Sequence, residues 1–189
     1  PIAKILSTQF YSRKLFTNQN NNKLIQIQLD RLLFNWRKTN NKELYPRFNN
    51  VFNEFMKYFS KIDQNEKCKD FINQLEITYL DHFELDTFDL KSYDLSVIFN
   101  TFSNCSNLSN ISMSYSTPQK IINGKLNVKL QSASRKSDNK PIIIFEKNCR
   151  GFINKIFEEF YKNSHDILKQ YFFGLLTDKA KQIYGFKNE

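Results

Sequence analysis

From Phe152 onward the chain carries an apolar stripe that only a helix can gather onto one side. Phe152, Ile153, Ile156, Phe157, Phe160, Ser164, Ile167, Leu168, Tyr171 and Phe172 recur at three- and four-residue steps, which return to one face at about 3.6 residues per turn. Leu175 and Leu176 close the run, and Thr177-Asp178 supplies an N-cap for a short last helix holding Ala180, Ile183 and Tyr184. A helix over 151–173 with one apolar side has to lie on an apolar layer. The upstream pattern supplies that layer as strands.

Lys23–Trp36 holds two period-two runs, 24–28 and 32–36, with Asp30-Arg31 between them as a bulge or short turn. Ile2–Phe10 alternates well enough for a strand, and the polar stretch through Asn18–Asn22 reads as a loop or hairpin tip. Tyr45-Pro46 opens a second helix over 46–62, because proline fits the first helical position and Phe48, Phe52, Phe55, Phe59 and Ile62 share one face. Further strands are expected at Leu75–Asp81, Ile111–Tyr115, Lys125–Ser134 and Pro141–Lys147. A tight turn at Asn123-Gly124 and the polar stretch Arg135–Lys140 would join the last three. Tyr93–Phe102 reads as a short helix or an irregular cover. The expected fold is α+β: one antiparallel sheet of five to seven strands, covered on one face by two main helices, the long one C-terminal.

One domain over 1–189 is expected, with room for an extra stretch between residues 10 and 24. The core would be strongly aromatic, since 19 Phe and nine Tyr can each bury roughly 150–250 Å². Cys68, Cys105 and Cys149 are odd in number and far apart, which gives neither a disulfide framework nor a CxxC zinc site. Reduced thiols, the lack of a signal peptide and the lack of a membrane-spanning run together lead to an expected cytoplasmic location without membrane insertion.

No catalytic constellation is visible, and no catalytic residue, metal or cofactor is assigned. His82 and His165 each stand beside an acid, but neighbouring residues diverge on a strand and on a helix, so Asp81 and Asp166 do not orient them. The acids around His82 match no metal-ligand spacing, and the isolated glycines form no phosphate-binding loop. Trp36, Tyr45, His82 and His165 are kept as ligand or structural candidates.

The charge is more suggestive. The chain carries a formal +9, and Gln119–Lys155 holds nine Lys/Arg against two acids. Lys125 and Lys129 share one strand face, and Arg135, Lys136 and Lys140 sit at a hairpin tip. Such a face can follow phosphates, or its lysines can simply guard exposed strands. Arg37, Lys38 and Arg47 flank Trp36 and Tyr45 in a second basic patch, which can stack on a base or pin a loop.

QIQLDRLLFNWRK (Gln26–Lys38), YPRF (Tyr45–Phe48), EITYLDH (Glu76–His82) and HDILKQYFFGLLTDKAKQIYG (His165–Gly185) resemble, in order, a sporadically distributed and uncharacterised bacterial family. Its members share an FNWR…YPR…TYxxH core and a C-terminal H…F…LT…A…G helix. They are usually longer between the first strand and the QIQ segment, and Tyr184 stands where they carry tryptophan. The resemblance implies no activity. Its patchy distribution resembles that of mobile or defence-associated genes. The expected function is a non-catalytic binding or assembly component, with a protein partner or self-association. The alternative is RNA or DNA binding through the basic hairpins and the Arg37/Arg47 patch.

Overall fold

The computed structural model describes residues 13–28, 30–40, 43–66, 70, 72–88, 94–102, 110–152 and 157–185. The expected strand Ile2–Phe10, the cysteines Cys68 and Cys105, and the helical residues Ile153 and Ile156 lie outside them. The fold is α+β, and it divides into two compact units at Asp70/Phe71.

The first unit holds a three-stranded antiparallel sheet, β1 (Lys14–Thr17), β2 (Lys23–Gln28) and β3 (Arg31–Trp36), and the helix α1 (Phe48–Glu66). The β1 strand occupies part of the stretch read as loop, whereas Asn18–Asn22 is the hairpin tip. The side chain of Asn18 explains the tip: its Oδ1 accepts from the Asn22 and Lys23 amides at 3.1 Å each. The aromatic side of α1 meets β3 through Phe34, whose ring centroid is 6.4 Å from Phe55 and 5.8 Å from Tyr58. Lys23 of β2 donates to Glu54 of α1 at 2.7 Å.

The second unit is a four-stranded antiparallel sheet in the order β4 (Gln74–Glu84), β7 (Pro141–Phe152), β6 (Gly124–Ser134) and β5 (Ser112–Gln119). Around it are α2 (Leu95–Ile98), α3 (Phe157–Leu175) and α4 (Asp178–Ile183). The helix α3 covers one face. Leu75, Phe83, Leu126, Val128, Leu130, Ile143, Phe145 and Cys149 are buried with Phe160 and Leu168 in its core. Thr177 caps α4 by accepting the Ala180 amide at 3.1 Å, as its sequence position predicts.

The expected single sheet of five to seven strands is therefore corrected to two sheets, of three and four strands among the described residues. Likewise, the two main helices fall in different units, α1 in the first and α3 in the second. Alternation shows that a segment is a strand but not which strand it bonds. The last helix also starts later than residue 151, because Gly151 and Phe152 continue β7. Nor is Asn123-Gly124 a two-residue hairpin turn. A 3-10 turn over Lys120–Ile122 precedes it, with Asn123 in the left-handed region at φ 45°. Gly124 is needed for closeness instead: a Cβ there would meet the Arg150 carbonyl oxygen at 2.1 Å.

Candidate functional site

The two basic patches fall in different units. In the first unit, the Arg37 Nε donates to the Asn21 carbonyl at 2.9 Å, fastening β3 to the hairpin tip. Trp36 meets Tyr45 edge-on at 5.3 Å. Arg47 is exposed, with φ 70°, and its carbonyl accepts the Val51 amide as α1 begins. Lys38 is exposed. Of this patch, Trp36 and Tyr45 are in ring contact, and Arg37 holds the hairpin tip.

In the second unit, Lys125 and Lys129 share the face that α3 leaves open. Their register partners across β7 are Arg150 and Glu146. Much of the remaining hairpin charge is neutralised. Arg135 donates to Asp138 at 2.9 Å and also to Glu84, and Lys140 donates to Asp86 at 2.6 Å. The Arg135 guanidinium lowers the Asp138 carboxyl to about 2, and the two carboxylates raise Arg135 above its usual range. Lys136 is exposed in the turn.

The histidines are not brought together. His82 is exposed on β4 opposite Ile144, on the open face, whereas His165 of α3 meets the covered face. There, His165 Nδ1 and the Tyr79 hydroxyl share a hydrogen bond of 2.7 Å. Burial lowers the His165 pKa, with Asp166 opposing and Lys169 reinforcing the shift. Glu76 is six strand positions from His82, about 20 Å at 3.3 Å per residue. His82 therefore pairs with neither Glu76 nor His165.

Three features have little or no signal in the sequence. The first is a row of side chains across the open face. Ser116 donates to Asn127, Asn127 to the Asn148 Oδ1 at 2.9 Å, and Asn148 to the Thr78 hydroxyl at 2.8 Å. Each member is the register partner of the next, so the row ties β5, β6, β7 and β4 together. Short polar residues at every second position are its only trace in the sequence.

The second is Lys147, one of the nine cations in Gln119–Lys155. It points to the covered face, where its side chain is 2 % exposed and its ammonium donates to Asp81. That ammonium also lies 3.9 Å from the Phe172 ring centroid. Burial pulls the Lys147 pKa below its ordinary value, although Asp81 raises it. Between the folded value and about 10.4, the unfolded chain then binds more protons, so stability rises with pH in that window. Lys147→Met should abolish this rise. Urea unfolding of both proteins from pH ~7 to ~10 measures it, and parallel pH profiles would show that the Lys147 pKa is not lowered.

The third is the β5 edge. No described residue pairs with its outer side, and its sequence, SMSYSTPQ, contains no charge. The other edge strand, β4, carries Glu76, Asp81 and Glu84, the type of protection expected of an edge. The Ser132 amide donates to the Ile111 carbonyl at 3.0 Å. Antiparallel alternation from that bond turns the peptide groups of Met113, Tyr115 and Thr117 toward β6, and those of Ser112, Ser114 and Ser116 outward. Pro118, which lacks an N–H, takes the next outward position, where none is needed for the ladder.

A recess flanks this edge on each face. On the covered side, a recess of about 170 Å³ lies between β5 and α3, lined by Phe99, Phe102, Met113, Tyr115, Tyr171 and Leu175 among others. The buried Tyr171 hydroxyl there has no hydrogen-bond partner among the described residues. On the open side, Ser114, Ser116, Asn127, Lys129 and Glu146 line a shallower depression of about 290 Å³, together with Tyr115 and Val128. No helix among the described residues is long and apolar enough to cross a membrane.

Comparison with protein-family models, with curated proteins and with solved structures finds no match to this chain.

Proposed function

We propose that this protein is a non-catalytic binding and assembly component that takes up an extended protein segment along β5. The observation that carries the reading is the uncharged edge with outward peptide groups at Ser112, Ser114 and Ser116, flanked by an apolar recess on one face and a shallow depression holding Ser114, Lys129 and Glu146 on the other. Strand addition uses this arrangement: main-chain hydrogen bonds supply affinity, and recesses on alternate sides select side chains. An incoming strand would place apolar residues beside Met113 and Tyr115, and polar residues beside Ser114 and Lys129. The patchy distribution of the family that the chain resembles is the reason for proposing a defence or mobile-element setting.

Selection from a displayed library of random peptides tests the reading. Enriched peptides should alternate apolar and polar residues and should lose at least tenfold in affinity for Ser114→Pro. That substitution removes one outward N–H and leaves the bonds to β6 in place. Equal binding to wild type and variant would overturn the proposal, as would nucleotide turnover lost on His82→Ala.

Nucleic-acid binding draws less support, because Arg135, Lys140 and Arg150 are already paired with Asp138, Asp86 and Glu76.

A further inference from the structure

We infer that the strand received at β5 is β5 of a second copy of this chain, paired antiparallel about a two-fold axis at Ser114. The inference rests on the strand-addition reading above and adds the identity and register of the occupant.

The strand is complementary to itself. Ser112, Ser114 and Ser116 alternate with Met113, Tyr115 and Thr117, so two antiparallel copies bring serines together on one face and larger side chains together on the other. With Ser114 on the axis, Ser112 faces Ser116 of the copy, Ser114 faces its equivalent, and Ser116 faces Ser112. All three positions present outward peptide groups, and each opposed pair exchanges two hydrogen bonds. Between them, Met113 and Tyr115 of the two copies become directly opposed, close pairs on the covered side. Both are strongly exposed in the single chain, at 39 % and 43 %, and a methionine–aromatic contact is favourable there.

Pro118 excludes registers shifted toward its own end of the strand. Centring on Ser114 puts each proline opposite Asn110, beyond the bonded pairs. Moving the axis to Ser116 would oppose Ser114 to Pro118 and lose one hydrogen bond on each side, because proline has no N–H to donate. Charge also favours this edge for self-association. Each chain carries +9, and two copies repel over most orientations. Pairing at β5 brings no charged side chain of the strand against its equivalent. The nearest open-face cation, Lys129, has Glu146 as its register partner. The result is one continuous sheet running β4-β7-β6-β5 and back through the copy, in which both uncharged edges disappear.

Sedimentation equilibrium of the full chain, from micromolar to several hundred micromolar, tests the association. Wild type and Ser114→Ala should reach twice the monomer mass, and Ser114→Pro should remain monomeric. Amide exchange on the wild type reads the register without a variant. Protection of the Ser112, Ser114 and Ser116 amides should rise with protein concentration, while protection of Met113, Tyr115 and Thr117 should not depend on it. A wild type that stays monomeric, or a dimer whose Ser114 amide exchanges freely, overturns self-pairing. Strand addition itself is decided separately, by whether the selected peptides bind wild type more tightly than Ser114→Pro.

Discussion

Phe145→Ala should lower the unfolding free energy by about 3–5 kcal/mol, with little change in the denaturant slope. Phe145 is 2 % exposed on the inner strand β7. Its ring centroid is 5.3 Å from Phe99, 6.2 Å from Phe172 and 6.5 Å from both Phe83 and Tyr171. These rings come from β4, the segment after α2, and α3, and the sheet register holds β7 in place. The gap left by alanine therefore cannot close by a small shift of one element, and the lost contacts add to the lost transfer energy. Phe152, at the end of the same strand, is 57 % exposed. Phe152→Ala should stay within about 0.5 kcal/mol. Similar losses for the two variants in urea unfolding would show that α3 is not seated over β7 as described.

Gly151→Ala should cost about 3 kcal/mol, at the severe end of small-to-large changes. A Cβ at Gly151 would meet the Ile122 carbonyl oxygen at 2.3 Å and the Phe160 ring at 3.0 Å. A ring can turn aside, but the carbonyl belongs to the 3-10 turn between β5 and β6. The strand or the turn has to move. Gly151 is also the register partner of Gly124, so the shift would pass into the β6–β7 pairing and the Thr78–Asn148–Asn127–Ser116 row. Gly174 of α3 serves as the contrast, since a Cβ there meets nothing within 4 Å. Gly174→Ala should be neutral or stabilising by up to about 1 kcal/mol, through helix propensity. Thermal unfolding of the two variants compares them directly, and a neutral Gly151→Ala would refute the close approach.

Local chemistry is readable wherever neighbours in sequence carry it. The aromatic step from Phe48 to Ile62 marks α1, and Thr177 announces the cap of α4. The alternation in Leu75–Asp81 and Lys125–Ser134 marks β4 and β6. Asn123-Gly124 is legible as a junction, although its glycine serves a close strand contact and not a turn. Of the candidate site, the shared face of Lys125 and Lys129 is readable from period two. The neutralisation of Arg135 is not, because its partner Glu84 is 51 positions away.

The amphipathic C-terminal helix shows the division most clearly. Its stripe alone determined that Phe160 and Leu168 would be buried against an apolar layer, because a turn returns the same face every few residues. Tertiary structure alone decided which layer that is. It assigned α3 to a four-stranded sheet, turned Lys147 inward to an aspartate 66 positions away, and left β5 as the uncharged edge. Those outcomes depend on which distant strands exchange backbone hydrogen bonds. Peptide groups are alike along every strand, so the choice is made by the combined packing of all the faces at once.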